Sequence, residues 1–254
     1  MKAKKSYGQH FLILEEIAQN IVNSFVEFNK TNKALEVGPG LGVLTKQLTT
    51  KYSEFVAVEA DRDMVTVINK SLPEVKIIEG DFLKQDFKEI FNGEPFGIIG
   101  NFPYNISSQI VFKMIENREQ VPVMVGMFQK EMAERIVSKP GTKVYGVISV
   151  LTQAYYEGGL IMHVPPEAFS PPPKVDSAVI ILKRKENIPE IYNEVLFKDI
   201  VKTSFLHRRK MIRNTMKQWL TEEEMKDTFY NRRPETLSVL EFINLTQLIT
   251  AKKV

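Results

Sequence analysis

Cysteine is absent from the 254-residue sequence, and histidine occurs only three times, at His10, His163 and His207. Without cysteine the chain forms no disulfide bond, offers no thiolate nucleophile and has no cysteine ligands for zinc or an iron–sulfur cluster. Three histidines so far apart in the chain also argue against a histidine-rich metal site. We therefore expect an intracellular protein that binds no metal.

Long apolar runs are also missing, because no stretch approaches the roughly 18 residues that a membrane-spanning helix needs. The first ten residues, MKAKKSYGQH, are basic and polar and lack the apolar stretch of a signal peptide. The net charge of +3 favours no class of partner, and 26% charged with 43% hydrophobic residues is typical of a globular chain. These features predict a cytoplasmic protein with no membrane partner. The lack of heptad repeats predicts a monomer.

The order of the apolar segments predicts the fold class. Short β-type runs alternate with helical ones, which is typical of a parallel sheet covered by helices on both faces. The predicted strands are 33–37, 55–58, 75–78, 96–99, 121–127, 147–156 and 175–182, and the predicted helices are 13–28, 41–52, 62–71, 107–117 and 130–138.

Near residue 187 the β pattern stops and helical spacing takes over, with predicted capping boxes at residues 221–224 and 238–241. We therefore predict an α/β domain over residues 1–186 and a small C-terminal all-α domain over residues 187–254.

The first predicted strand runs into the glycine cluster Gly38-Pro-Gly-Leu-Gly42, which a helix follows. Such loops bind nucleotide cofactors at the carboxyl end of the first parallel strand. The spacing departs from G-x-G-x-x-G, and Pro39 removes one N–H group that a pyrophosphate would need. On this motif alone, a glycine turn without a ligand is an equal alternative.

Two acidic residues at the ends of the next strands change that balance. Glu59 ends the second strand 21 residues after Gly38, where a carboxylate can accept hydrogen bonds from both ribose hydroxyls of an adenosine. Asp81 follows the third strand, where it can accept a hydrogen bond from an adenine amino group. Because the three strand ends line one crevice, the combination favours S-adenosylmethionine as the cofactor over a dinucleotide.

The fourth strand leads into Gly100-Asn-Phe-Pro-Tyr104, a motif that suits methylation of an adenine amine. This amine is a poor nucleophile because its lone pair is delocalised into the ring. The Asn101 side-chain carbonyl and the Phe102 main-chain carbonyl can accept its hydrogens, while Pro103 keeps the backbone rigid. Tyr104 can stack on a base that has left its helix. We predict these four residues as the catalytic set, with a structural turn as the alternative.

Eight segments in both predicted domains resemble the small-subunit rRNA adenine dimethyltransferases. They are 4–12 (KKSYGQHFL), 36–42 (EVGPGLG), 58–61 (VEAD), 101–107 (NFPYNIS), 128–135 (FQKEMAER), 145–150 (YGVISV), 169–179 (FSPPPKVDSAV) and 208–210 (RRK). The resemblance implies a Rossmann-like class I S-adenosylmethionine-dependent methyltransferase domain. It also implies N6,N6-dimethylation of two adjacent adenosines near the 3′ end of 16S rRNA, in the immature small ribosomal subunit.

The resemblance also implies roles for single residues. The expected cofactor contacts run from the methionine end to the adenine end of the donor, with Asn101 between donor and target amine. These residues are His10, Leu12, Gly38, Gly40, Glu59, Asp81, Phe82 and Asn101. Phe102 departs from the family, which more often has leucine there, and we expect the bulkier side chain to narrow the target pocket.

Basic residues predict where RNA binds. Residues 207–213 place four permanent cations within one and a half to two predicted helical turns, and a solvated helix face is the alternative to a phosphate-binding role. The net charge is +5 over residues 181–254 and −2 over residues 1–180, which fits an RNA-binding helical domain. The expected RNA contacts are Lys183, Arg184, Arg208, Arg209, Lys210 and Arg213.

Two other functions stay open on the sequence. The family includes enzymes that methylate an adenine of large-subunit 23S rRNA and confer macrolide resistance. The second alternative is an RNA-binding assembly factor of the small subunit that is mainly non-catalytic.

Overall fold

The structure is a computed structural model that describes residue 4 and residues 8–252. Residues 1–3, 5–7 and 253–254, which include part of the KKSYGQHFL segment that carries the family resemblance, lie outside the described residues. The chain divides into two compact units, the first formed by Met1–Ala133 and Glu157–Arg184 and the second by Glu134–Tyr156 and Lys185–Val254.

Strands of the first unit form two sheets. The strands are β1 Phe11–Leu12, β2 Lys33–Val37, β3 Glu54–Glu59, β4 Lys76–Glu79, β5 Gly97–Asn101, β6 Val123–Gln129, β7 Tyr156–Val164, β8 Phe169–Ser170 and β9 Ser177–Arg184. A seven-stranded sheet forms the centre of the unit, in the order β4-β3-β2-β5-β6-β9-β7. Strands β2 to β6 pair in parallel, and β9 runs antiparallel to β6. A separate two-stranded sheet joins β1 to β8.

Helices cover the sheet because each turns an apolar stripe towards it. In α1, the buried residues Ala18, Ile21, Val22 and Phe25 recur at helical spacing and join the core around β2 and β6. All five residues of β2 are buried, as expected for a strand covered on both faces. The helices of this part of the chain are α1 Glu15–Phe28, α2 Thr45–Leu48, α3 Arg62–Ser71, α4 Phe87–Ile90, α5 Ser107–Glu116 and α6 Lys130–Val137. The predicted α/β class is confirmed.

Helices form the second unit, and one of them was predicted as a strand. The run 147–156 is the helix α7, Val147–Tyr155, followed by α8 Glu194–Leu206, α9 Ile212–Thr215 and α10 Val239–Ala251. Nearly every residue of α7 is buried, so its apolar pattern has no polar face to reveal a helical period. The strand prediction for 147–156 is therefore wrong.

The same helix explains why residues 134–156 group with the second unit and not with the first, where the sequence boundary at residue 187 placed them. Helix α7 packs against α8 and α10. Its buried side chains include Ile148, Val150 and Leu151, which need the apolar faces of those helices as partners.

Within the part of the chain that the structure describes, no helix is long and apolar enough to cross a membrane.

Both predicted capping boxes form, but only one begins an α-helix. The Ser238 hydroxyl accepts a hydrogen bond from the Glu241 N–H at 3.2 Å, and the Glu241 carboxylate accepts one from the Ser238 N–H at 2.7 Å, at the start of α10. Thr221 and Glu224 exchange the same bonds before a single 3-10 turn of three residues.

We expect Ser238→Ala to lower the free energy of unfolding by about 1 kcal/mol, because it removes the N-cap of a 13-residue helix. Thr221→Ala is the matched control and should cost less, because its box begins only a short turn. Urea unfolding followed by circular dichroism measures both, and equal losses would contradict this difference.

Candidate active site

A cavity of about 300 Å³ opens in the first unit where the carboxyl ends of β2, β3 and β5 meet. The segment just before and within β1 forms another of its walls. Most of the sequence-predicted site residues line it, namely His10, Gly38, Gly40, Glu59, Asp81, Phe82, Asn101, Phe102, Pro103 and Tyr104.

The glycine cluster is a turn that only glycine adopts without strain. Gly38 has φ +67° and Gly40 has φ +55°, in the left-handed region. The Gly38 N–H donates to the Val58 carbonyl at 2.9 Å, so this N–H is already used within the protein. A ligand can therefore approach the α-carbon of Gly38 but does not gain a hydrogen bond from its N–H. A Cβ on Gly40 would lie 3.1 Å from the ring of Phe11, so the missing side chain lets Phe11 approach the loop.

Glu59 is a buried carboxylate that links this loop to the end of β3. One oxygen accepts the Gly40 N–H at 3.2 Å and the other accepts the Asp61 N–H at 2.9 Å. Burial raises the pKa of Glu59, and these N–H bonds act in the opposite direction by favouring the charged form. A carboxylate accepts about four hydrogen bonds, so capacity for two hydroxyl donors remains.

Asp81 and Phe82 lie at another wall of the cavity. One Asp81 oxygen accepts the Leu83 N–H at 2.9 Å and caps a 3-10 turn, which leaves the second oxygen for a ligand amine. Phe82 is buried and its ring packs on Phe87 with centroids 5.5 Å apart. The pair presents an acceptor beside an apolar face, an arrangement that suits a purine.

The Asn101 side chain has a defined orientation. Its Nδ2 donates to the main-chain carbonyl of His10 at 2.9 Å. Because a carbonyl can only accept, the amide NH2 must face His10, and the amide oxygen is left as an acceptor for another group. The bond joins residues 91 positions apart, so only the folded chain creates it.

Tyr104 is half-buried and has a neighbour on one face of its ring. The His10 ring stacks on it with centroids 5.5 Å apart and planes at 26°, while the Tyr104 hydroxyl shares a hydrogen bond with the Ser177 hydroxyl at 2.6 Å. His10 Nδ1 donates to the Pro171 carbonyl at 2.9 Å. Burial raises the pKa of Tyr104, so the phenol stays neutral at physiological pH.

The segment before β1 is tied to the start of α3. Asp61, 1% exposed, accepts hydrogen bonds from Gln9 Nε2 at 2.8 Å and from Lys4 Nζ at 2.6 Å, and it also caps α3. The Lys4 N–H in turn donates to Gln9 Oε1 at 2.8 Å. Sequence reasoning missed Gln9, Phe11 and Asp61 as site residues, although all three lie inside the segments that carry the family resemblance.

Leu12 does not line the main cavity. It is 4% exposed and lines a smaller adjoining cavity of about 30 Å³, which Glu36 and Asn101 also line. Glu36 is 1% exposed and accepts a hydrogen bond from the Thr45 hydroxyl at 2.7 Å. Burial raises its pKa to about 8, against the opposing Thr45 bond, and the nearby Glu59 charge adds to the rise.

Phe102 lines the cavity, and its side chain is almost fully buried. It is 1% exposed and contacts Phe128 edge-on, with ring centroids 5.1 Å apart. The expectation that this ring narrows the target pocket stays a prediction.

The predicted RNA contacts divide between the two units. In the first, Lys183 pairs with Glu157 at 3.2 Å, and Arg184 donates to the Arg118 and Glu119 carbonyls at 2.8 and 3.0 Å. These contacts occupy both side chains within the protein.

In the second unit, the four cations of residues 207–213 do not lie on one helix as predicted, because α8 ends at Leu206 and α9 begins at Ile212. Arg208 donates to the Lys143 and Thr142 carbonyls. Arg209, Lys210 and Arg213 are exposed, and none has an ion-pair partner among the described residues.

The side chains of the cleft fit a cofactor that carries an adenosine. Glu59 and Asp81 keep acceptor capacity for hydroxyl and amino groups, Phe82 offers an apolar face, and the nearest atom to a Cβ on Gly38 would be 4.0 Å away, so that glycine borders open space. Among the described residues, no three His, Asp or Glu side chains form a group that can hold a metal ion.

The sheet order, with one antiparallel strand beside β6, and an acidic cleft at the carboxyl ends of β2 and β3 define a class of protein. The fold is that of the Rossmann-like class I S-adenosylmethionine-dependent methyltransferases.

Comparisons with known proteins narrow the class to a family. The sequence model of the family described as ribosomal RNA adenine dimethylase matches residues 1–250. Ribosomal RNA small subunit methyltransferase A of Flavobacterium johnsoniae is 46% identical over 254 residues, covering 99% of this chain and 97% of that protein. The protein of the same name from Bacteroides thetaiotaomicron is 46% identical over 253 residues, covering 98% and 94%.

Solved structures agree with this assignment. A dimethyladenosine transferase from Plasmodium falciparum has a TM-score of 0.80 at 25% identity, covering 96% of this chain and 99% of that one. The 23S rRNA methyltransferase ErmE shares the fold, with a TM-score of 0.73 at 23% identity and coverage of 93% and 99%. The chain belongs to the ribosomal RNA adenine dimethylase family, and it is an S-adenosylmethionine-dependent rRNA adenine dimethyltransferase.

The buried Glu36 should make stability depend on pH. Because its pKa rises from about 4.5 unfolded to about 8 folded, the folded state holds the extra proton between those values. Raising the pH from about 5 to 8 should therefore cost roughly 1 kcal/mol of stability per pH unit from this group, and the loss should end above about pH 8.

We expect Glu36→Gln to remove this part of the pH dependence, which thermal unfolding of the ligand-free protein at several pH values measures. Glu116→Gln, at an exposed position on α5, is the control and should keep the slope of the parent. A parent and a Glu36→Gln variant with the same slope would show that Glu36 is not protonated in the folded state.

Proposed function

We propose that this enzyme transfers methyl groups from S-adenosylmethionine to N6 of two adjacent adenosines near the 3′ end of 16S rRNA in the immature small subunit. The observation that carries the proposal is the Asn101 amide, whose NH2 is held by the His10 carbonyl and whose oxygen is left to accept from an amine. This acceptor lines the same cavity as the acidic residues of the donor cleft.

Binding of the donor is assigned to the walls of that cavity. Glu59 accepts hydrogen bonds from the ribose hydroxyls, Asp81 accepts one from the adenine amino group, and Phe82 packs on the adenine ring. Gly38 and Gly40 let the backbone approach, and His10 and Leu12 close the methionine end, Leu12 from the adjoining small cavity. The bound donor supplies an electrophilic methyl group on a sulfonium, so the protein need not activate it.

Activation of the target amine is assigned to two carbonyl oxygens. The Asn101 Oδ1 atom and the Phe102 main-chain carbonyl accept the two amine hydrogens and direct the nitrogen lone pair towards the methyl group. Phe102 is held in place because its N–H donates to the Met127 carbonyl at 3.1 Å. After methyl transfer the amine proton passes to water. No general base is required, and positioning supplies most of the rate enhancement.

The target base is assigned to the aromatic pair at the mouth of the cleft. His10 and Tyr104 already stack on each other, and hydrogen bonds to Pro171 and Ser177 hold the two rings. A base that has left its RNA helix can add a further layer to this stack, because each layer presents a π face. The aromatic pair thus holds the adenine while the carbonyls orient its amine.

The names of the relatives support small-subunit rRNA over the large-subunit alternative. The relatives at 46% identity are both named small subunit methyltransferases, whereas the likeness to ErmE at 23% identity concerns the fold alone. Mapping the methylated nucleotides after reaction with each ribosomal subunit tests this choice directly. Label confined to the large subunit would overturn it.

We assign phosphate contacts first to Arg209, Lys210 and Arg213, because these cations are exposed and have no ion-pair partner among the described residues. Arg208, Lys183 and Arg184 have carbonyl or carboxylate partners within the protein, so their contribution to RNA binding is expected to be smaller. A free cation gains more from a phosphate because no internal bond is lost.

Asn101→Ala should lower methyl transfer to 16S rRNA adenosine by about a hundredfold or more, because the amine loses its oriented acceptor. RNA affinity should change little, because the phosphate contacts are assigned to other residues. Labelled methyl transfer with undermethylated small subunits, combined with binding measurements, checks both expectations. Asn20→Ala, at an exposed position on α1, is the matched control. Retained activity of Asn101→Ala would remove the basis of the proposed mechanism.

Replacing both Arg209 and Lys210 by Ala should weaken RNA binding and reduce the steepness of log affinity against log salt by about 1 to 2. The reason is that RNA binding releases about one counterion fewer for each phosphate contact that is lost. The donor affinity should not change. Lys51→Ala with Lys70→Ala removes the same charge from exposed positions of the first unit and should leave the slope near that of the parent. Identical slopes for both pairs would argue against a specific role of the loop after α8.

A further inference from the structure

Two glycines on neighbouring strands lie beneath the loop that carries the amine-accepting carbonyls. Gly100 of β5 pairs with Gly126 of β6 in the parallel register, and Phe102 follows two residues after Gly100. The Phe102 ring folds back over both glycines. A Cβ on Gly126 would overlap Cε2 of this ring and lie 2.8 Å from its Cδ2, and a Cβ on Gly100 would lie 2.8 Å from its Cε1.

Different neighbouring atoms exclude a side chain at the two glycine positions. At Gly100 a Cβ would also lie 2.6 Å from the Val37 carbonyl, so the backbone of the sheet alone excludes a side chain there. At Gly126 the three atoms nearest to a Cβ belong to the Phe102 and Phe128 rings. Gly126 has no positive φ, so its backbone demands no glycine. The aromatic ring above it is therefore the reason for the missing side chain.

The Phe102 ring cannot move aside without moving its backbone. It is 1% exposed and packs edge-on against Phe128, and the Phe102 N–H is bonded to the Met127 carbonyl beside Gly126. Closely packed interiors transmit an added methyl group as a shift of neighbouring groups. A side chain at position 126 would therefore push the Phe102 main chain and the adjoining Asn101 away from their present positions.

We propose that Gly126 is a positioning residue for methyl transfer, because its size match with the Phe102 ring sets where the two amine-accepting carbonyls lie. This inference rests on the proposed function, in which Asn101 and Phe102 accept the amine hydrogens. It also explains how this chain accommodates a phenylalanine where the resemblance leads us to expect leucine more often: the ring atoms of Phe102 lie over Gly126, where no side chain occupies the space.

The second methyl transfer is the step most sensitive to such a shift. After the first transfer, one of the two carbonyls faces a methyl group in place of a hydrogen, so the pocket must keep both a close acceptor and extra room. If the Phe102 carbonyl is displaced, the pocket lacks either the close acceptor or the room for the first methyl group. The proportion of N6-monomethyladenosine to N6,N6-dimethyladenosine therefore reports the position of the loop. A change in overall stability alone would not alter this proportion.

The test compares Gly126→Ala, Phe102→Leu and the double variant with the parent enzyme on undermethylated small subunits. Gly126→Ala should slow single-turnover transfer by about tenfold or more and raise the monomethyl proportion, because the loop shifts. Phe102→Leu should do the same to a smaller extent, because it leaves a void over Gly126. The double variant should recover most of the parent rate and product ratio, since the new methyl group fills that void.

Donor affinity, measured by calorimetry with S-adenosylmethionine, should stay within about threefold of the parent in every variant, because none of them changes Glu59, Asp81 or Phe82, to which adenosine binding is assigned. Gly159→Ala is the matched control: a Cβ there meets no atom within 4 Å, so rate and product ratio should not change. If Gly126→Ala does not fold, Phe102→Leu and the double variant still test the inference, because the double variant must transfer methyl groups faster than Phe102→Leu.

A folded Gly126→Ala variant with the parent's rate and product ratio would overturn the inference, as would a double variant no faster than Phe102→Leu. Failure of the proposed function has a different result, since the parent enzyme itself would then place no methyl group on small-subunit adenosine. If the parent methylates normally and the variants behave like the parent, only the role of Gly126 is contradicted, and the proposed function is not.

Discussion

The parallel pairing of β2 with β3 and β5 is the constraint on which the rest of the site depends. Val37 pairs with Val58, and Glu36 pairs with both Ala57 and Ile99, so three strands end at nearly the same level. Each then changes direction at the same edge of the sheet. Strand ends that coincide in this way leave a crevice, and the last strand residues and the turns after them place glycine, carboxylate and amide groups along its walls.

A second constraint is the return of the chain across that crevice. Strand β1 pairs with β8, and Asp61 holds the residues just before β1, so the His10 carbonyl lies where it can accept from Asn101. The Asn101 amide is therefore oriented before any substrate arrives. Such preorganisation lowers the cost of orienting the acceptor during the reaction, which suits the hydrogen-bond activation that we propose for the target amine.

Local patterns predicted much of this site. Glu59, Asp81 and the 101–104 motif each stand at a fixed offset from a strand, so the alternation of strands and helices was enough to bring them to one edge. The failures have physical causes too. Helix α7 is buried on nearly every side and shows no period, and the cations of residues 208–210 lie in a turn because α8 ends before them.

The order of residues along the chain by itself determined the α/β class, the glycine turn and the acids and amide that follow each strand, because these depend on neighbours in sequence. Folding alone decided which groups meet across long separations: His10 with Asn101, Gln9 with Asp61, and the Phe102 ring with Gly126. Such contacts depend on the packing of several elements at once, and no spacing within one segment encodes them. The orientation of the amide and the space beneath its loop are therefore properties of the tertiary structure.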